Sequence, residues 1–292
     1  MKRLLVLALC VLLANSLFSQ TLIEKICIKA SEYLENVDDC NNLQDSMKTC
    51  IPRAISFVFS NCSEEDKMIM DSAKGIKNVL STVYKSIPLY SSNVRNLTSE
   101  INKKKYYQLS ISKKANEFLD KGDNLMKNKK YRASIKYYRK ALREDKTFVI
   151  AFDNMAIAYR KLEKYKKSLR IYKKSLDIFP AGDVALLNSA FIYSKINMID
   201  EALVSYKRLR YHYPYSAEGF FGCARLLVSK GDYEDALNNL FYANAIYVNE
   251  GSSYQKDSSA LIQRVYLLMK KAGKLDLFMK IAKENNISIE EE

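Results

Sequence analysis

Residues that turn or break a backbone are scarce in this chain: of 292, eight are glycine and four proline. Together they make up about 4 %, against roughly 12 % in an average protein. That scarcity argues against a turn-rich β-sandwich or barrel and excludes a collagen-like or glycine-rich low-complexity chain. A single histidine and no tryptophan leave little for histidine-based catalysis or a His-rich metal site. Beyond the first twenty residues no stretch approaches eighteen consecutive apolar residues, so none reads as a membrane span. What the chain does have is 48 % hydrophobic and 27 % charged residues, enough to bury a core.

The N-terminus reads as an address. Lys2 and Arg3 precede an apolar run from Leu4 to Ala14, followed by small or polar residues. This is the layout of a secretory signal peptide, with Ala14-Asn15-Ser16 or Ser19 before Gln20 as the cleavage point. Eleven helical residues span only ~17 Å, well short of a ~30 Å hydrocarbon core. Cys10 lies inside the apolar run rather than after it, which speaks against a lipidated cysteine. The expectation is a chain cleaved near residue 19 and exported, periplasmic or secreted, with no transmembrane segment left. The short signal and the Lys-, Asn-, Ile- and Tyr-rich composition lean towards a bacterial source.

Self-comparison at a fixed offset shows a period of 34 residues. Gly122, Ala156, Ala190 and Ala224 form one column of small residues, and Ser134, Ser168, Ala202 and Ala236 another. Tyr138, Tyr172, Tyr206 and Leu240 form a bulky column, and Pro180 and Pro214 share a phase. Each unit holds two stretches with helical i, i+3, i+4 apolar spacing. Small residues at the eighth and twentieth positions let the two helices approach. The aromatic at the twenty-fourth fills the seam with the next unit, and proline near the end stops the second helix. One such unit cannot bury its apolar face alone, so units must stack.

These columns resemble the tetratricopeptide repeat, over units 115–148, 149–182, 183–216 and 217–250, with Lys146 and Val248 where the terminal proline is usual. The resemblance implies an all-α fold: a right-handed superhelix of stacked antiparallel helix pairs, its concave groove lined by the first helix of each unit. It also implies a protein- or peptide-binding role and no enzyme activity. The expected organisation is a signal over 1–19, a helical cysteine-containing region over 20–98, the repeats with a lead-in helix over 99–250, and a degenerate repeat or cap over 251–292. Within 63–112, helix is expected from Met68 to Ile87, then a linker over Pro88–Asn93, with helix resuming near Ser99.

Carried over position by position, the resemblance implies that Asn116, Leu119, Asp123 and Lys127 of the first unit face the groove. Asn154, Ile157, Arg160 and Lys161 follow from the second, Leu187, Asn188, Phe191 and Lys195 from the third, and Phe221 and Arg225 from the fourth. Asn154 and Asn188 share a phase, so their amides could hold an extended peptide backbone. The clamp some relatives use for a chaperone's C-terminal carboxylate is not matched, since Leu119, Asp123, Val184 and Asn188 stand at its other positions.

Charge is uneven. Lys103 to Lys174 holds twenty-three basic against seven acidic residues, whereas Gln20 to Glu65 holds four against eight. A basic surface of that size steers anionic partners, an anionic lipid or wall polymer among them. Export and the absence of a nucleic-acid-binding motif speak against nucleic acid.

Cys27, Cys40, Cys50 and Cys62 cluster ahead of the repeats, and in an exported chain they read as a disulfide framework. If residues 21–36 and 50–61 form a helical hairpin, Cys27 lies ~20 Å from Cys40 and Cys62 ~18 Å from Cys50. Nested pairing, Cys27–Cys62 and Cys40–Cys50, then keeps both bridges short, while other pairings require the helices to break. The spacings do not suit a zinc site, no C-x-x-C suggests a redox centre, and Cys223 reads as a small buried thiol. Catalytic residues, metal and cofactor are all expected to be absent. His212 has no carboxylate pair, nucleophile elbow or phosphate loop beside it in the sequence. The functional expectation is an exported scaffold that binds a protein or peptide of the cell envelope.

Overall fold

The structure is a computed structural model describing residues 22–39, 41–285 and 287, so the apolar N-terminal run, Cys10 and Cys40 lie outside the described residues. Among the described residues every regular element is a helix, and no helix is long and apolar enough to cross a membrane. The chain divides into two compact units, one ending at Ile101 and the other beginning at Asn102.

The first unit contains α1 (22–34), α2 (Leu43–Ser60), α3 (Glu64–Ile69), α4 (Ala73–Tyr90) and most of α5 (Ser92–Tyr106). Leu22, Ile26, Ala30 and Leu34 recur every four residues on one face of α1 and pack with Ile51, Ala54, Val83, Ile87 and Val94. The expected linker at Pro88–Asn93 is instead the junction of two helices. Pro88 sits in the last turn of α4, and its carbonyl and that of Leu89 accept from the Arg95 guanidinium at 2.8 and 3.2 Å. The helix end is thus closed by a side chain, with only Ser91 between α4 and α5. Asn93 does the same for α1, its amide reaching the carbonyls of Leu34 and Val37.

The disulfide framework is corrected. Cys27, Cys50 and Cys62 are free thiols, so neither expected bridge is present. The reason is register: α2 begins at Leu43 rather than near Cys50, which places Cys50 two turns into the helix, level with Tyr33, whose carbonyl its Sγ meets at 3.7 Å. Cys62 lies beyond α2, its Sγ turned back to the Phe59 carbonyl at 3.3 Å. Cys27 faces the core, and burial raises its thiol pKa to about 11. Cys223, fully buried in the second unit, is raised to about 11 for the same reason.

The second unit is a stack of α-hairpins: α6 (Lys113–Lys127) with α7 (Tyr131–Glu144), α8 (Val149–Lys161) with α9 (Tyr165–Ile178), α10 (Asp183–Lys195) with α11 (Ile199–His212) and α12 (Ala217–Lys230) with α13 (Tyr233–Asn249). A fifth pair follows, α14 (Gln255–Lys271) and α15 (Leu275–Glu284). Both small-residue columns are buried where paired helices touch, and Ser168 Oγ donates to the Ala156 carbonyl at 2.7 Å across one such contact. The tyrosine column fills the remaining space. A Cβ added to Gly122 would come within 2.5 Å of the Tyr138 ring, and one on Gly222 within 2.3 Å of Tyr206 in the preceding hairpin.

First helices also meet their counterparts one unit on, α6 with α8, α8 with α10, α10 with α12 and α12 with α14. That crowding puts them on the inner side of the stack. The period breaks after the fourth hairpin. Pro180 and Pro214 follow helices of 14 residues, as Lys146 does, whereas α13 runs on through Val248 for 17. α14 is also longer, at 17 residues against 14 for α12, and with slightly longer connections this puts Gly231 and the corresponding Gly273 42 residues apart instead of 34.

Candidate partner-binding groove

The inner face presents one residue set at its rim and another on its floor. Lys127, Lys161 and Lys195 stand one period apart in the last turns of α6, α8 and α10, and all three are exposed. Cations there complement the partial negative charge of each helix C-terminus as well as lining the rim. On the floor, the Arg160 guanidinium lies 5.3 Å from the ring centre of Phe191, and that of Arg225 lies 6.0 Å from Phe221. Phe191 remains 45 % exposed, unusual for a phenyl ring of this size. Two adjoining depressions of about 540 and 810 Å³ share Arg225 and Ser229 and form one trough from Phe191 to Leu268.

Other groove candidates are otherwise engaged. Leu119 is only 3 % exposed and belongs to the core between α6, α7 and α8. Asn116 is a loop clamp: its Oδ1 accepts from Ser110 N at 2.9 Å and its Nδ2 donates to Ser110 O at 2.7 Å. Asp123 accepts from the Tyr138 hydroxyl at 2.7 Å and from Asn154 Nδ2 at 2.9 Å, joining two repeats. Asn188 Nδ2 turns to the Val184 carbonyl of its own helix at 2.8 Å. The asparagine ladder is therefore not a free pair of amides, because nearby polar atoms already satisfy part of each. Ile157 and Leu187 are half-buried in the seams between hairpins. The structure extends the trough onto α14, where Leu261, Arg264 and Leu268 face Phe221 and Arg225. The shift from 34 to 42 residues hid these positions from a phase-based reading.

Asp153 stands at the same end of the stack as a strap of chain that precedes the repeats. It is 2 % exposed and accepts a very short hydrogen bond from the Tyr107 hydroxyl, while its Oδ1 has no aligned partner. Burial raises its pKa to about 6, outweighing the Ser175 and Tyr107 hydroxyls that draw it down. Tyr106 stacks on Phe179 at 5.0 Å and Tyr107 meets the same ring edge-on at 5.8 Å. Lys103 pairs with Asp183 at 2.7 Å, and Ser110 Oγ donates to Asp145 at 2.7 Å. Residues 103–110 thus touch the turns after α7 and α9 and the start of α10. His212 meets Tyr211 edge-on at 5.2 Å. Among the described residues no three His, Cys, Asp or Glu side chains converge as a metal site.

Stacked hairpins with small residues at the helix contacts and an inner trough define an α-helical repeat solenoid. Residues 118–148 and 151–178 match two models of the tetratricopeptide repeat, so this stretch of the chain is built of tetratricopeptide repeats. No curated protein matches it by sequence. Among solved structures it is similar to residues 41 to the end of MamA from Desulfovibrio magneticus RS-1, at 13 % identity over 60 % of this chain and 95 % of that one, TM-score 0.49. It is also similar to a tetratricopeptide repeat protein from Parabacteroides merdae ATCC 43184, at 16 % identity over 59 % and 67 %, TM-score 0.49. A third is PilW, described as a widely conserved type IV pilus biogenesis factor, at 16 % identity over 61 % and 80 %, TM-score 0.46.

Proposed function

We propose that this protein is a non-catalytic scaffold that holds an extended segment of a partner protein along the inner face of its repeats. The observation that carries this reading is the trough from Phe191 to Leu268, where the exposed phenyl ring of Phe191, the Arg225–Phe221 contact and Lys195 lie together. Aromatic and arginine side chains held in a concave surface are the groups that dominate binding energy at protein interfaces. Half-buried Ile157 and Leu187 offer apolar contact beside them, so a segment mixing apolar and acidic residues suits the surface better than a purely acidic one.

The apolar run after Lys2 and Arg3 supports export, and with it a partner in the cell envelope. The test is photo-crosslinking from position 191 in intact cells, identification of the captured protein, and titration of its crosslinked segment against purified chain. Phe191→Ala with Arg225→Ala should weaken that binding about tenfold or more while leaving helix content unchanged. Equal affinity of the double variant would remove the trough from the functional account.

A further inference from the structure

The six-residue loop between α5 and α6 has no part in the trough, yet it exposes large apolar side chains. Leu109 is 65 % exposed and Ile111 fully so, while Ser110 between them points inward. Large apolar side chains do occur singly on surfaces, but here two stand side by side on a loop that is firmly held. Asn116 grips both backbone groups of Ser110, Asp145 takes its hydroxyl, and Gln108 Nε2 donates to the Lys104 carbonyl at 2.8 Å. The alternation of an extended segment therefore fixes Leu109 and Ile111 outward. Around them the chain from 103 to 114 carries five lysines and no acidic residue. The nearest carboxylates are occupied, Glu144 by Lys114 at 3.0 Å and Asp145 by Ser110 and Thr147.

We propose that this loop is a membrane-docking wedge: Leu109 and Ile111 enter the headgroup–acyl boundary of an anionic bilayer while the flanking lysines engage its lipid phosphates. Two protruding side chains supply far less than the roughly 1,200 Å² a specific protein interface buries, whereas a bilayer surface rewards apolar tips ringed by lysine. Each lysine near an anionic surface strengthens attachment about fivefold, so the binding is reversible and salt-sensitive. A wall polymer would use the lysines and leave the apolar tips unburied, so the tips select lipid. This inference is independent of the partner-binding trough.

The chain has no tryptophan, so Ile111→Trp in the full chain gives a fluorophore that reports this loop alone. With vesicles of phosphatidylcholine and phosphatidylglycerol its emission should shift to the blue and be quenched by brominated acyl chains. Phosphatidylcholine vesicles should produce neither effect. Leu109→Ser with Ile111→Ser should lower sedimentation with the anionic vesicles about tenfold, and Lys104→Glu with Lys105→Glu at least as much. Unshifted emission with anionic vesicles, or equal shifts with neutral and anionic ones, overturns the proposal and leaves the loop to a protein contact.

Discussion

Lys129, Glu163, Asn197 and Gly231 occupy the fifteenth position of successive repeats, and all four have positive φ, between 56° and 78°. Each ends a first helix with the same closure, in which the next residue's amide returns to a carbonyl five residues back, as from Lys130 to Leu125 and Asp232 to Leu227. Only the last is glycine. A side chain in the left-handed region costs about 1–2 kcal/mol, partly offset by the greater unfolded-state freedom of glycine. Lys129→Gly and Glu163→Gly should therefore each stabilise the protein by up to about 1 kcal/mol. Gly231→Ala should cost about 1 kcal/mol, although nothing lies within 4 Å of the added methyl. Urea titration of the three variants measures both signs.

At the scale of elements, the segment over 103–110 does what the repeats cannot do for themselves. Hairpins in a solenoid touch only their neighbours, whereas this strap contacts α8, α9 and α10 and the turn after α7. Its central contact places Tyr107 on a carboxyl that ionises reluctantly, with Tyr172, Ser175 and Asp183 also nearby. Because the folded pKa of about 6 exceeds the ordinary 3.8, the native state holds this proton more tightly than the unfolded chain. The contribution of Asp153 is fully present below about pH 4 and is withdrawn as pH rises through about 6. Asp153→Asn cannot ionise and still offers Tyr107 an acceptor. Its stability relative to the parent should be greater at pH 7 than at pH 4 by on the order of 3 kcal/mol, read by denaturant unfolding at the two values.

For the molecule as a whole, stability should follow the nearest-neighbour logic of stacking. Tyr206 fills the space over Gly222 between the third hairpin and the fourth. Tyr206→Ala should leave a cavity there and cost about 3–5 kcal/mol, as truncating a large buried aromatic does. Its effect should be local: in hydrogen exchange the amides of α12 to α15 should lose protection while those of α6 and α7 keep theirs. Uniform loss along the whole stack would mean that the strap couples the hairpins into one cooperative block.

The 34-residue columns were legible because stacking repeats one packing problem, and the same residue sizes solve it at the same phase each time. Gly122 beneath Tyr138 and Ser168 against Ala156 follow from that rule. Val248 stands where proline is usual, and α13 is longer there. The groove was less legible, because phase tells which face of a helix a residue occupies but not what its polar atoms meet. Asn154 finds a partner in Asp123 of the preceding hairpin, which only folding brings near, and Asn116 turns back on Ser110 in the loop before its own helix. The cysteine register depended on where α2 begins, and Asn42 provides no side-chain cap to mark it. Sequence alone thus determined the repeating hairpin, through side-chain size at fixed spacing. Tertiary structure decided which polar groups remain available to a partner and where Leu109 and Ile111 point, because both depend on contacts between residues far apart in the chain.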